Sequence, residues 1–224
     1  MREPLGHVLW IGGGTGAGKS SVASALAERY GLTRYDYDWH DSRDHTDRTR
    51  QDRHPHRATF LAMSLDERWV FPSRREMADN AIGSFGERFE MVLEDLLALP
   101  RGRFIVADGF GLLPELIHPF IESPGQAVFL LPTPEFRVVA LERRGWRTID
   151  GTSDADRARA NRLARDELLT EYVRRTAAGL GFATISVDGT RGLDEITAEV
   201  DRRDRKSTRL NSSHFVPSRM PSSA

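Results

Sequence analysis

Cysteine is absent from the 224 residues, so neither a disulfide scaffold nor a thiolate metal site is available. Lysine is almost absent: Lys19 and Lys206 are the only two, and arginine supplies nearly all of the positive charge. Long apolar runs are missing as well. Stretches such as Val8–Ile11 and Ala127–Leu131 are far too short to span a bilayer and no secretory signal precedes them, so a cytoplasmic protein without a membrane partner is expected. No basic stripe offsets a formal charge of −1, which argues against nucleic acid as a partner.

The end of the chain reads as foreign. DRKSTRLNSSH followed by FVPSRMPSSA, residues 204–224, has the form of a translated sequencing adapter. Its Ser, Pro and Asn content without apolar periodicity predicts a disordered, non-native tail. Setting it aside removes Arg205, Lys206, Arg209 and Arg219 against Asp204, which moves the formal charge from −1 to −4. Lys19 is then the one lysine of residues 1–203, a length that suits a single α/β domain.

That lysine lies in GGTGAGKS, Gly13 to Ser20, a full match to the phosphate-binding pattern G-x-x-x-x-G-K-[ST]. A short buried strand at His7–Ile11 precedes it, and a helix over Ser20–Tyr30 follows, stopped by Gly31. In this context Gly13, Gly14, Thr15, Gly16, Ala17, Gly18, Lys19, Ser20 and Ser21 are expected to hold a nucleotide polyphosphate. The amides and helix N-terminus would face the phosphates, Lys19 would reach the outer ones and the Ser20 hydroxyl would ligate Mg²⁺. Gly12-x-Gly14-x-x-Ala17, with Asp36 further on, also fits the looser dinucleotide pattern. Gly18-Lys19-Ser20 argues against that alternative, because an NAD(P)-binding Rossmann protein needs neither the amine nor the hydroxyl.

Strand and helix patterns alternate along the rest. Thr33–Asp38, Arg103–Ala107, Ala127–Leu131 and Ala183–Val187 read as strands. A capping box at Ser73-Arg-Arg-Glu76 opens a long helix to about Leu99, and Thr133-Pro134 opens another to about Arg144. Ala58–Val70 and Ser153–Ala178 read as helical, a short helix is expected within Gly111–Ile121, and a final one runs to about Arg203. The polar residues 39–58 read as a surface loop. The pattern predicts a parallel sheet covered on both faces.

Several residues carry chemistry by type and place. Asp108, at the tip of the FIVA strand, would hold Mg²⁺, although Asp-Gly is also a common local turn. On an extended strand Asp36 and Asp38 face the same side, and Asp38 is the better placed as a base for an acceptor hydroxyl. Between 143 and 165 stand seven arginines against Asp150, Asp154 and Asp156. A mobile lid is expected there, with Arg143, Arg147, Arg162 and Arg165 as the phosphate-facing members, the last two sharing a helical face. The remaining arginines would be a solvated helix face. His40, His45, His54 and His56 lack metal-ligand spacing and read as surface histidines. Trp69, Phe71, Phe85 and Phe89 read as core.

IGGGTGAGKSSVASALAERYG, YDYD, VADGFGLLPEL, FLLPTPEFRVVALERRGW and VDGTRGLDEI together resemble the P-loop small-molecule kinases, the group of uridine, gluconate, shikimate and nucleoside monophosphate kinases. The resemblance implies a three-layer P-loop NTPase fold with a five-stranded parallel sheet of order 2-3-1-4-5, an acceptor-side helical insertion at 39–100 and a lid at 143–165. It implies ATP and Mg²⁺ as cofactors, a small-molecule acceptor, and Asp188 to Arg191 near the adenine. Monomer and homodimer both stay open, as does an ATP-binding regulator without acceptor turnover. A GTP-driven switch would need a second lysine in an N/T-K-x-D element, and residues 1–203 have none.

Overall fold

The structure, a computed structural model, describes residues 5–100 and 102–206. Its elements run β1 (Val8–Gly13), α1 (Lys19–Tyr30), β2 (Thr33–Asp36), α2 (Tyr37–Asp41), α3 (Asp44–Asp47), α4 (Pro55–Ala62), α5 (Leu65–Trp69) and α6 (Arg74–Ala98). They continue with β3 (Ile105–Asp108), α7 (Pro114–Ile117), β4 (Ala127–Pro132), α8 (Pro134–Arg144), α9 (Ala155–Gly179), β5 (Ala183–Val187) and α10 (Leu193–Lys206). The five strands form one parallel sheet in the order β2-β3-β1-β4-β5, as the resemblance implied.

Side chains of period two sort themselves onto two cores. Val8 and Trp10 of β1, Ile105 and Ala107 of β3, and Phe129 and Leu131 of β4 face the layer holding α6, α7 and α9. Leu9, Ile11, Val106, Val128 and Leu130 face α1 and α10 through Val22, Leu26, Ile196 and Val200. Both faces are covered, which is why these strands read as continuous apolar runs. The order places β3 and β4, not β2, beside β1. A dinucleotide-binding sheet of order 3-2-1-4-5-6 would put β2 there, so the Rossmann alternative is excluded.

Four expectations need correction. The second strand ends at Asp36, not Asp38, because Asp36 turns to cap α2 and its Oδ1 accepts the Trp39 N–H at 3.0 Å. Residues 39–58 are no loose surface loop. They form short helices docked on an acidic stripe of α6, where Glu87, Glu90 and Glu94 recur at helical spacing with Asp95 beside them. His45 and His54 are buried, not superficial: His45 Nε2 donates to Asp95 at 2.7 Å, beside the Tyr35 hydroxyl at 2.9 Å, and His54 meets Glu90. Trp69, Phe85 and Phe89 are core as expected, but Phe71 is 64% exposed.

The capping boxes at Ser64 and Ser73 form as reciprocal hydrogen bonds, and Thr133 caps α8. α10 runs to Lys206, three residues into the segment read as foreign, while 207–224 lie outside the described residues. Residues 146–158 pack through Ile149 and Ala158 on Trp69, Val70 and Met77. Asn161 Nδ2 adds hydrogen bonds to the Trp69 and Val70 carbonyls at 3.0 Å each, joining α9 to α5.

Candidate active site

The loop from β1 to α1 is built to leave its amides uncommitted. Gly13 (φ 121°) lies so close to β4 that a side chain would strike the Leu130 backbone, and Gly18 (φ 79°) starts α1 without a side-chain cap. Among the described residues, the N–H groups of Thr15, Gly16, Gly18, Lys19 and Ser20 find no protein acceptor. No acidic residue occupies the first turn of α1 to answer its positive end. Lys19 is buried, with Nζ donating to the Gly14 carbonyl at 2.9 Å. Burial lowers its pKa, and the attraction of Asp38 and Asp108 only partly opposes this. A polyanion fits this cradle: it would satisfy the free amides and restore the charge environment that burial takes from Lys19.

Asp38 stands one residue inside α2, where its Oδ1 accepts the Phe110 N–H at 3.1 Å. Its carboxylate is open to solvent but crowded by protein atoms. That crowding raises its pKa, against the pull of Lys19 and of the Phe110 amide. Asp36 and Asp38 no longer share a strand face, since Asp36 serves as cap and as a partner of Arg34.

Asp108 is fully buried, and both of its oxygens are taken: Arg34 Nε reaches Oδ1 at 2.9 Å and Nη2 reaches Oδ2 at 3.3 Å. The same Nη2 holds Asp36 at 2.8 Å, so one guanidinium from β2 clamps two acids that lie in register across β2 and β3. A magnesium ion would reach Asp108 only by displacing Arg34. The residues present therefore fit a metal carried mainly by the polyphosphate and Ser20. Sequence reasoning missed Arg34, although its position two residues before Asp36 is the signal, since side chains two apart on a strand share a face. The glycine after Asp108 is not there for a turn: Gly109 and Gly111 have no positive φ, and a Cβ on either would collide with Tyr37.

The arginine-rich segment divides by position. Arg162 and Arg165 do share a face, both stacked on Trp69, at 5.8 and 5.1 Å. Arg165 also lies over the Phe110 ring at 5.8 Å, and Lys19 Nζ lies over that same ring at 5.7 Å. Arg143 is exposed with no partner among the described residues, whereas the charge of its neighbour Arg144 is felt at Lys19. Arg147 falls in a 3-10 turn, and its side chain lies outside the described residues. Two further charges went unread. Arg137 is buried on α8, donating to Thr170 Oγ1 at 2.8 Å, and Asp166 is buried beside Arg165 at 2.7 Å. Neither belongs to a pattern; only the packing of α8 and α9 on the loop brings them near.

At the far side of the loop, a Cβ on Gly16 would meet Ala140 at 3.1 Å and one on Gly189 would meet Phe136 at 2.8 Å. Residues 136 and 140 are one turn apart, so the phosphate loop and the 188–191 turn lie along one face of α8. Asp188 Oδ1 accepts from Thr190 N and Oγ1, while Arg191 is tied to Glu199 and the Ser186 carbonyl. Beyond Phe110, a cavity of about 570 Å³ opens between α4, α5, α6 and α9, with Asp41, Phe85 and Arg165 in its wall.

No family model matches the chain, and no curated protein matches it. Solved structures do. Thymidylate kinase from Candida albicans is similar at 14% identity and a TM-score of 0.50, over 90% of this chain and 92% of that one. Shikimate kinase from Acinetobacter baumannii (16%, 0.49, 90% and 94%) and deoxyadenosine kinase from M. mycoides (10%, 0.49, 90% and 100%) are also similar. At such identities the likeness is one of fold, carried by the first. Sheet order and this likeness show the three-layer, five-stranded parallel fold of the small P-loop kinases. Among the described residues, no helix is long and apolar enough to cross a membrane.

Proposed function

We propose that the protein is an ATP- and Mg²⁺-dependent kinase that transfers the γ-phosphoryl group to a hydroxyl of a small molecule. One observation carries this reading: the buried Lys19 and its uncommitted amides lie beside the open carboxylate of Asp38, next to a cavity of small-molecule size. The loop from Gly13 to Ser21 binds the polyphosphate, and the 188–191 turn with Phe136 flanks the base. Asp38 orients the acceptor hydroxyl and takes its proton as the new O–P bond forms and the β,γ-bridging oxygen departs on ADP. Arg162, Arg165 and Arg144, from the lid at 143–165, face the moving phosphoryl group from α8 and α9 and neutralise its charge. Magnesium, when bound with the nucleotide, supplies charge neutralisation. Ser20 would be its protein ligand, and Asp108, closed off by Arg34, would join it only if Arg34 moved aside. Partners are small molecules, and the protein is cytoplasmic.

The test is ADP release from ATP and Mg²⁺ across a panel of hydroxylated compounds, together with calorimetric ATP binding. A second reading, an ATP-binding regulator without turnover, is favoured by the Arg34 clamp that closes Asp108. It predicts tight ATP binding and no ADP release with any acceptor.

A further inference from the structure

Trp69 belongs to two places at once. It stands in the wall of the cavity of about 570 Å³, and the guanidiniums of Arg162 and Arg165 lie over its ring at 5.8 and 5.1 Å. The ring is buried and fixed from several directions. Phe60 meets it edge-on at 6.0 Å, and Val70, Met77, Ile149 and Ala158 share its small core. Asn161 Nδ2 donates to the Trp69 carbonyl at 3.0 Å. Asn161 and Arg165 are four apart on α9, so this bond sets the ring and the arginines in one register.

How a guanidinium is held decides which donors it has left. The other arginines of the cavity wall are held by oxygen. Arg68 donates Nε and Nη2 to the Phe60 and Leu61 carbonyls, and Arg88 donates to Ser84 and meets Asp41. Arg57 donates to the Asp41 carbonyl and to Thr46 Oγ1. Arg162 and Arg165 are held through aromatic rings, and each commits one terminal nitrogen to protein. Arg162 donates to Thr148, and Arg165 meets Asp166 at 2.7 Å. Trp146 adds a second ring for Arg162 at 5.9 Å, and Phe110 one for Arg165 at 5.8 Å. The Nε–H groups of both, though buried, have no acceptor among the described residues. An aromatic contact of this kind leaves in-plane N–H donors available to a phosphoryl oxygen.

Resting on the kinase reading above, we infer that Trp69 is a positioning residue for phosphoryl transfer: its ring, carried by the acceptor-side insertion, holds Arg162 and Arg165 toward the γ-phosphate while leaving their donors free. The Phe110 ring under Arg165 also lies under Lys19 Nζ, at 5.7 Å, which places that guanidinium beside the phosphate loop.

Calorimetry on the full chain with Mg²⁺ and either ADP or a non-hydrolysable ATP analogue reads the γ-phosphate contact without an acceptor. The parent chain should prefer the triphosphate, and Trp69→Leu should cut that preference by about tenfold with ADP affinity held. Trp69→Phe, which keeps an aromatic face, should retain most of it. In a chain carrying Arg162→Gln and Arg165→Gln, Trp69→Leu should remove nothing further. Trp69→Met repeats the measurement if Trp69→Leu does not fold. An undiminished triphosphate preference in Trp69→Leu overturns the inference. Equal losses in Trp69→Leu and Trp69→Phe overturn it too, since packing and not the aromatic face would then be the cause. A parent chain that binds both nucleotides alike does the same, because the arginines would not reach the γ-phosphate. A parent chain that binds neither nucleotide overturns the kinase reading, and this inference with it, a result distinct from the other three.

Discussion

Arg34 holds Asp108 in a two-point grip across neighbouring strands, with Nε to Oδ1 at 2.9 Å and Nη2 to Oδ2 at 3.3 Å, and the carboxylate has no exposure at all. Removing one member of such a pair leaves the other charge buried and uncompensated, a penalty of about 3–5 kcal/mol when both partners are enclosed. Arg34 is 28% exposed, so water recovers part of this. Arg34→Ala should therefore lose about 2–3 kcal/mol in denaturant unfolding. Arg34→Met, no better, would confirm that charge and not chain length is at issue. An unchanged midpoint in both variants would show that the grip does not persist in solution. The Mg²⁺ concentration for half-maximal turnover is read in the same variants: a fall assigns Asp108 to the metal, and no change leaves it structural.

Lys19 lies on the opposite side of that balance. Burial disfavours its ammonium more than Asp38 and Asp108 favour it, so the fold holds this charge at its own expense. Lys19→Ala should unfold no earlier than the parent chain in calorimetry, while triphosphate affinity collapses and any turnover falls by about 10²–10³. Lys19→Ala that keeps its nucleotide affinity would remove the lysine from the phosphate site.

The sheet could be read from the sequence because β1, β3, β4 and β5 are short apolar runs, ended by glycine, by an acid or, in β4, by Pro132-Thr133, and because the phosphate loop fixes which strand comes first. The capping box at Ser73 obeys the same local logic, and the one at Ser64, which carries the same Ser-x-x-Glu signal, went unread. Residues 39–58 could not be read, since their order is long-range. His45, His54 and Arg53 find partners on Asp95 and Glu90, separated by 50, 36 and 37 residues, and a polar segment satisfied in this way looks solvent-facing in one dimension. Arg137 and Asp166 escaped for the same reason. Conversely, Arg162 and Arg165 were legible because a spacing of three on a helix decides a shared face by itself.

For Asp38, crowding raises the carboxyl above its ordinary value of 3.8, with Lys19 acting against the shift. A base works only when ionised, so turnover should fall as pH drops through this raised value, and the acid limb should lie above the usual aspartate range. Asp38→Asn should lower kcat by about 10²–10⁴, with ATP affinity retained, and abolish that limb. Equal losses of kcat and ATP affinity, or an acid limb that persists in the variant, would take the proton-accepting role away from Asp38.

Tyr37 connects the two ends of the site, and glycine makes the connection possible. Its ring is buried over Gly109 and Gly111, edge-on to Phe85 at 6.4 Å, and its hydroxyl donates to Asp41 at 3.2 Å. A Cβ on Gly109 would approach Tyr37 Cδ1 to 2.8 Å, and one on Gly111 would fall within its hydroxyl. Neither glycine needs a positive φ, so Gly111→Ala acts through this collision alone and should destabilise by about 1–3 kcal/mol. Pushing Tyr37 aside also shifts Asp41, and with it the partners of Arg57 and Arg88 in the cavity wall. Acceptor binding should therefore weaken more than ATP binding in Gly111→Ala. In the double variant Gly111→Ala/Tyr37→Leu the ring atoms that the new Cβ would strike, Cζ at 2.4 Å and Cε1 at 2.5 Å, are gone, so it should lose less stability than the two single variants added together. Simple additivity of the two losses would show that the packing of Tyr37 is not what the glycine serves.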